Sequence, residues 1–165
     1  MLHPNILIRK SSIHELGLFA EERIPKGQRI WELDQDAEIL RWTDAKHLPR
    51  RMWKQLYQCG ADSYAVLTDG SQYMNHCCNP NTWPNGDTAF DAMMDISPCE
   101  EVTCDYATFL TDKRWKGMVC HCSSRNCRTR ITSLDCLNPE FQRIYAGHLP
   151  SWVTQFINEH ISRTE

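Results

Sequence analysis

The 165-residue chain has no long apolar run and no extended run of basic residues. A helix that spans a bilayer needs about 20 consecutive, mostly apolar residues, and the chain has no such stretch. Residues 1–4 lack the charged and apolar regions of a signal peptide. The net charge is −3 and the one basic patch, at residues 46–54, is interpreted as a solvated face, so neither nucleic acid nor a membrane is expected as a partner. We therefore expect a cytoplasmic or otherwise intracellular protein in a reducing compartment.

The nine cysteines are odd in number. Without a signal peptide, reduced thiols and a metal are favoured over a disulfide framework, which needs an oxidising compartment. Four of the cysteines supply the ligand set of a closed, structural zinc site, namely Cys78, Cys120, Cys122 and Cys127. His121 lies inside this cluster and is interpreted as a solvent-facing neighbour, because four thiolates already complete the site. Small packing roles are expected for Cys59, Cys77, Cys99 and Cys136.

Residues 75–81 combine turn chemistry with polar side chains that a turn does not need. Pro80 fixes φ and the asparagines beside it can hydrogen-bond their own backbone, whereas Asn75 and His76 stand ahead of the turn. Further along the chain, Tyr106 ends the motif V-T-x-D-Y. The motifs N-H-x-C-x-P-N, V-T-x-D-Y and C-x-C-x4-C thus follow one another in this order.

This combination resembles the SET-domain protein-lysine methyltransferases that carry a zinc-binding post-SET segment. Residues 15–20 and 24–27 are similar to that family's opening G-x-G-L-F-A and I-x-K-G segments. The resemblance covers roughly residues 6–130, and several motifs in the family's order are more specific than any one of them alone. It implies S-adenosylmethionine as methyl donor, Zn²⁺ as a structural metal, and a protein with a target lysine as substrate. Histones, ribosomal proteins and translation factors all remain open as substrates.

We expect a mainly β fold with a few helices. Short apolar segments bounded by Gly, Pro, Asn or Asp predict strands at residues 6–10, 28–33, 64–67, 89–94 and 101–104. By resemblance these strands form the SET-domain β-fold, with small sheets and a pseudoknot-like threading of the chain near Tyr106. The expected parts are a SET domain over residues 4–114 with a helical insert at about 44–59, a post-SET zinc-binding segment over 115–130, and a C-terminal helical extension over 131–165.

Two helices are predicted in the extension, at residues 139–145 and from Pro150 onward. The second carries one apolar stripe made of Trp152, Val153, Phe156, Ile157, His160 and Ile161. Core packing is the favoured interpretation of this stripe. The alternatives are a homodimer face and a substrate platform.

The resemblance also implies roles for single residues. Tyr106 matches the catalytic tyrosine, and the alternative is a buried tyrosine whose hydroxyl is satisfied within the core. Cofactor binding is implied for Leu16, Gly17, Leu18, Asn75, His76 and Tyr106. The substrate channel is implied for Tyr64, Cys104 and Tyr106, with simple packing as an equal alternative for Tyr64. Cys104 stands where the family has Phe or Tyr, and we expect this smaller residue to permit di- or trimethylation.

Four positions depart from the family pattern. Glu15, Cys99 and Ser123 stand where glycine is usual, and Gln72 replaces an arginine. None of these changes removes a group with direct chemistry, but together they leave room for a weakened enzyme. Methyl transfer to lysine is therefore the leading interpretation. The alternatives are a catalytically weakened SET-fold, zinc-containing protein-interaction module, and a zinc-stabilised interaction domain that binds no cofactor.

Overall fold

The computed structural model describes residues 1–162, in which short strands predominate. The strands of this part of the chain are β1 Ile6–Lys10, β2 Leu16–Ala20, β3 Arg29–Glu32, β4 Ile39–Arg41, β5 Leu56–Gly60, β6 Ser63–Val66, β7 Asn75–His76, β8 Thr82–Pro84, β9 Ala89–Ala92, β10 Glu101–Cys104, β11 Met118–Val119 and β12 Arg130–Ile131. The α-helices are α1 Trp42–Ala45, α2 Pro139–Ile144 and α3 Ser151–Ile161, and short 3-10 helices cover Arg50–Gln55, Ser71–Tyr73, Tyr106–Thr108 and Asp135–Leu137. The expected mainly β fold with a few helices is confirmed.

The strands form small sheets, as the SET-domain arrangement requires. Their orders, within the described residues, are β1-β2-β10-β7, β3-β9-β8, β4-β6-β5 and β11-β12. The predicted strands are present: β1 and β10 coincide with their predicted segments, and β3, β6 and β9 overlap theirs. Their inward-facing side chains share one apolar core, which includes Leu18, Trp31, Phe90 and Val102.

The parallel pair of β7 and β10 organises the functional region. Thr103 pairs with Asn75, and Cys104 pairs with His76. Parallel neighbours need a long crossover connection, and here the crossover contains β8 and β9. On its other side β10 pairs antiparallel with β2. The chain that leaves β10 therefore carries Tyr106 past the Asn75–His76 strand.

The predicted helical insert at residues 44–59 is wrong in large part. Its helical pieces are α1 and the 3-10 segment Arg50–Gln55, and its end is the strand β5. Pro49 separates the two pieces, because proline has no amide N–H to continue a helix. β5 forms an antiparallel hairpin with β6, and this places the Tyr57 ring 5.1 Å from that of Trp31 in the core. Burial of the ring outweighs the helical spacing of the neighbouring apolar residues.

The C-terminal extension is helical, and α2 and α3 confirm the two predicted helices. Residues 163–165, which the prediction includes, lie outside the described residues. Trp152, Val153 and Ile157 are buried in the common core, so core packing accounts for much of the apolar stripe. The Trp152 indole also donates a hydrogen bond to the carbonyl of Phe109 (3.2 Å).

Across residues 1–162, no helix combines the length and the apolar character that a membrane crossing needs.

Candidate active site and metal centre

Four cysteine sulfurs meet where the sequence predicts a zinc site. The Sγ atoms of Cys78, Cys120, Cys122 and Cys127 all lie within 4.8 Å of one another. Cys78 and Cys120 are 3.8 Å apart, and sulfurs bound about 2.3 Å from a tetrahedral zinc are also separated by about 3.8 Å. His121 is exposed, as expected. These residues therefore fit a closed, structural zinc centre.

Each of the four sulfurs accepts one backbone N–H. The donors are the amides of Cys78, Cys122, Arg128 and Thr129, which reach the sulfurs of Cys122, Cys120, Cys78 and Cys127 respectively, at 3.5, 3.4, 3.3 and 3.4 Å. Such donors favour the thiolate, which is the form that binds a metal. Burial opposes the ionisation of Cys122, but hydrogen bonds from the Cys78 amide and from Ser124 lower the pKa of its thiol to about 6. Burial raises the pKa of the Cys78 and Cys120 thiols, so these two become thiolates only when a cation binds beside them.

Tyr106 begins the 3-10 turn that follows β10. Asp105 caps this turn by accepting a hydrogen bond from the amide of Ala107 (3.0 Å). The Tyr106 hydroxyl donates to the carbonyl of Met74 (3.0 Å), while the residue as a whole is only partly buried. Loss of solvent around the hydroxyl, and then the thiol and carboxyl groups of β10, raise the pKa of Tyr106. The hydroxyl therefore keeps its proton at neutral pH.

His76 connects the metal centre to Tyr106. Its Nδ1 accepts the backbone amide of Tyr106 (3.1 Å), so its ring proton lies on Nε2, which faces the Cys78 Sγ at 3.3 Å. Burial, and then the positive charge of Arg128, lower the pKa of His76 to about 3, so the ring is neutral. One side chain thus touches a predicted zinc ligand and the backbone of the predicted catalytic residue.

Asn75 holds the loop that precedes β2. Its Nδ2 donates to the carbonyl of Leu16 (2.9 Å) and to Oε1 of Glu101 (2.8 Å). Glu101 also accepts the hydroxyl of Ser11 (2.8 Å). A Cβ on Gly17 would lie 2.2 Å from the Glu101 Oε1, so a glycine is needed where the carboxylate approaches the backbone. The structure thus brings Leu16, Gly17 and Asn75 together, and their role as cofactor residues stays a prediction.

Leu18 and Cys104 lie within the sheet beneath these groups. Both are buried. Leu18 pairs with Ile8 of β1 and with Val102 of β10. The Leu18 side chain is therefore not available to a cofactor, and only its backbone could take part in cofactor binding. The channel role of Cys104 stays a prediction.

Tyr64 belongs to a polar cluster of its own. Its hydroxyl donates to Asp112 and accepts a hydrogen bond from Nη2 of Arg114 (3.1 Å). Its ring packs against Trp42, with centroids 5.8 Å apart, and Arg114 lies 4.5 Å above the same indole. Burial and the bond to Asp112 raise the pKa of Tyr64. These contacts support the packing interpretation, and the channel role of Tyr64 stays a prediction.

Sequence reasoning misses two charged residues of the site, Glu101 and Arg128. Nη2 of Arg128 lies 2.6 Å from Oδ1 of Asp105, whose side chain is only 3% exposed. Both residues could have been identified from their positions next to predicted site residues. Glu101 begins the strand that leads to Tyr106, and Arg128 directly follows the last predicted zinc ligand.

Three of the four departures from the family pattern share one backbone feature. Glu15, Cys99 and Ser123, which by resemblance replace glycines, have φ angles of 35°, 65° and 55°. The left-handed region costs an L-residue roughly 1–2 kcal/mol. These three residues therefore adopt the left-handed backbone conformation that glycine favours, although they carry side chains. Cys99 is also exposed, so its predicted role as a packing residue is wrong.

Comparison with known proteins agrees with this geometry. The family model described as SET domain matches residues 15–107. Curated relatives include the histone-lysine N-methyltransferase set1 of Dictyostelium discoideum, 28% identical over 142 residues, and the histone-lysine N-methyltransferase ASHH3 of Arabidopsis thaliana, 30% identical over 136 residues. The aligned parts are 76% and 70% of this chain but 9% and 35% of these relatives, so the chain spans only a minor part of their length.

Among solved structures, the fold is similar to that of KRYPTONITE in complex with mCHG DNA and SAH. The TM-score is 0.60 at 21% identity, and the match covers 78% of this chain and 29% of that one. The family match covers more than half of the chain and includes Gly17, Asn75, His76 and Tyr106. The chain therefore belongs to the SET-domain family.

Proposed function

We propose that this chain is an S-adenosylmethionine-dependent protein-lysine N-methyltransferase. The observation that carries the proposal is the neutral hydroxyl of the partly buried Tyr106, held by the Met74 carbonyl beside the Asn75–His76 strand. Membership of the SET-domain family supports the same reaction. We assign the catalytic role to Tyr106.

Methyl transfer to a lysine requires the neutral amine. An unperturbed lysine has a pKa of about 10.4, so the neutral amine costs roughly 4–5 kcal/mol at pH 7. A channel of low polarity and a nearby positive charge both lower this pKa. When bound, S-adenosylmethionine supplies an electrophilic methyl group on a positively charged sulfur. The chain has to orient the amine and exclude water.

The polar groups around Tyr106 and Asn75 suit a cationic methyl donor, because many of them are hydrogen-bond acceptors. Met74 and Leu16 present carbonyl oxygens, and Glu101 adds a carboxylate close enough to raise the pKa of Tyr106. We assign donor binding to a set that combines this loop with the Asn75–His76 strand, namely Leu16, Gly17, Leu18, Asn75, His76 and Tyr106.

The remaining residues define the lysine channel and its frame. We assign the channel to Tyr64, Cys104 and Tyr106, where the small Cys104 leaves room for di- or trimethylated products. Zinc held by the four-cysteine cluster would be structural, because four thiolates leave no open coordination position. It would fix the segment at residues 115–130 beside Tyr106.

The substrate in this proposal is a protein with an accessible lysine. Because the relatives named above are histone methyltransferases, a histone is the first substrate to assay. Cysteines that bind zinc have to stay reduced, and this favours a reducing, intracellular compartment. A homodimer through α3 stays a prediction. Because Trp152, Val153 and Ile157 are buried in the core, the exposed part of the apolar stripe is smaller than the sequence alone suggests.

A catalytically weakened interaction module is the second candidate. The observation that favours it is the left-handed backbone at Glu15, at the start of the loop that we assign to donor binding. This candidate predicts that the protein binds S-adenosylmethionine but methylates no lysine.

The substitution Tyr106→Phe tests the leading proposal. Removing the hydroxyl should lower methyl transfer about 100-fold, measured with radiolabelled S-adenosylmethionine and histones. Stability should fall by only about 1 kcal/mol, the typical worth of one hydrogen bond. Tyr57→Phe is the matched control, since its hydroxyl also donates to a carbonyl, that of Asp87 (3.3 Å), a residue with no assigned role. Equal rates in wild type and Tyr106→Phe would remove Tyr106 from its role.

A further inference from the structure

The side chain and the backbone of Arg128 contact residues from separate parts of the chain. Its Nη2 lies 2.6 Å from Oδ1 of Asp105, and its Nη1 lies 3.3 Å from Oδ2 of Asp135. Its backbone amide donates to the sulfur of Cys78 (3.3 Å). Asp105 directly precedes Tyr106, Asp135 belongs to the C-terminal extension, and Arg128 itself lies in the zinc-binding segment. The residue thus stands where the three parts meet.

The Asp105 carboxylate is the centre of this contact. It is almost fully buried, and a buried charge that loses its partner is strongly destabilising. Its Oδ1 accepts both the guanidinium of Arg128 and the amide of Ala107 (3.0 Å). Its Oδ2 accepts the hydroxyl of Tyr145 (3.5 Å), from the extension. The orientation of this carboxylate fixes the first turn after β10, on which Tyr106 sits.

The contacts of Arg128 depend on the shape of its guanidinium. The Nε is buried and has no hydrogen-bond partner among the described residues, and the same holds for Oδ2 of Asp135. The guanidinium is therefore oriented by the hydrogen bond of Nη2 to Asp105 and by the ion pair of Nη1 with Asp135. Two carboxylates on different elements can be bridged by a planar fork. A lysine would keep the charge but offers a single ammonium, which cannot take both positions at once.

We propose that Arg128 is a positioning residue for Tyr106. It fixes Asp105, Asp105 fixes the turn that carries Tyr106, and Asp135 holds the guanidinium from the side of the C-terminal extension. The kinetic consequence rests on the methyltransferase function proposed above. The structural consequence, a fixed Tyr106 turn, does not depend on it.

The experiment compares Arg128→Lys with Arg130→Lys in the zinc-loaded protein. Arg130 is exposed, lies two residues further along the same segment, and donates to the carbonyl of Lys116 (2.6 Å). In Arg128→Lys, kcat for lysine methylation should fall about 10- to 100-fold, as when an outer support of a site is lost. The KM for the substrate and the zinc content should stay near wild type, and Arg130→Lys should behave as wild type.

Amide hydrogen exchange gives a readout that does not depend on activity. In Arg128→Lys the amides of Tyr106 and Ala107 should exchange at least about tenfold faster, while those of β1 keep their wild-type rates. Asp135→Asn, which leaves the pair with Asp105 in place, should give a smaller effect in the same direction, and it serves if Arg128→Lys does not fold.

Two results would overturn the proposal. In the first, Arg128→Lys has a lower thermal stability, but its kcat per folded molecule and the amide exchange rates of Tyr106 and Ala107 equal those of the wild type. A merely structural role would produce this result. The other is loss of zinc, which would place the role of Arg128 at the metal. If the wild type transfers no methyl group, the proposed function fails, and the exchange comparison still decides the role of Arg128.

Discussion

The zinc segment (residues 115–130) and the opening loop (residues 11–17) both contact the elements around Tyr106, but different bonds hold them. The three cysteine sulfurs of the zinc segment and the sulfur of Cys78 lie within 4.8 Å of one another, so that one cation would join all four. The opening loop is held by separate hydrogen bonds. The Asn75 amide donates to the carbonyl of Leu16 and to Glu101, and the Glu101 carboxylate also accepts the hydroxyl of Ser11. Structural zinc binding contributes on the order of 10 kcal/mol to folding, whereas a single hydrogen bond contributes about 1 kcal/mol. We therefore expect the loss of a zinc ligand to be all-or-none, and the loss of a contact in the opening loop to be graded.

The largest effect is expected for Cys122→Ser. The loss of one thiolate should empty the zinc site, which removes a free energy comparable with the whole stability of a domain, about 5–15 kcal/mol. Metal analysis and thermal unfolding measure both consequences. Cys99→Ser is the control, because Cys99 is exposed and lies outside the cluster. A full zinc atom per chain in Cys122→Ser would refute the assigned ligand set.

A smaller and graded effect is expected for Gly17→Ala. The added Cβ would meet Oε1 of Glu101 at 2.2 Å, so the carboxylate must leave Asn75 or Ser11. We expect a loss of about 1–3 kcal/mol in the free energy of unfolding and at least tenfold weaker binding of S-adenosylmethionine, or about 1.4 kcal/mol. Calorimetric titration and urea unfolding provide the two values.

Gly60→Ala is the matched control for Gly17→Ala, since the atom nearest to its new Cβ would be the Ser63 Cβ, at 3.2 Å. Equal affinity for S-adenosylmethionine in Gly17→Ala and wild type would separate the opening loop from donor binding.

The smallest effects are expected for Glu15→Gly and Ser123→Gly, one in each region. Both residues have a left-handed φ that glycine adopts without strain. Each substitution should raise the free energy of unfolding by up to about 1 kcal/mol, because the relieved strain is partly offset by the larger freedom of glycine in the unfolded chain. Gly27→Ala is the reverse control: φ is +80° and nothing lies within 4 Å of the new Cβ, so it should destabilise through strain alone. If both glycine variants unfold at lower urea than wild type, the strain account is wrong.

Much of the fold could be predicted because its signals are local. β1 and β10 are short segments between turn residues, and the C-x-C-x4-C spacing of the cysteines indicates the zinc ligands. The helices of the extension begin after Asn138 and Pro150, as their sequence signals indicate. Such features need no knowledge of distant contacts.

The rest depends on contacts between residues far apart in the chain. The end of the insert is a strand because Tyr57 packs its ring against Trp31 and Phe109, at 5.1 and 5.0 Å, and a helical pattern does not reveal this. Glu101 gains its role only when β2 and β7 bring Gly17 and Asn75 next to it. The links made by Arg128 are equally invisible before folding, because its partners belong to two other segments.

The most direct test of the central claim, that the Tyr106 site binds the methyl donor, is a titration of the zinc-loaded wild type with S-adenosylmethionine and with its demethylated product. Calorimetry and thermal shift should both report one binding event per chain, weakened in Gly17→Ala. A folded, zinc-loaded protein whose heat signal and unfolding temperature stay unchanged at saturating donor would contradict the account.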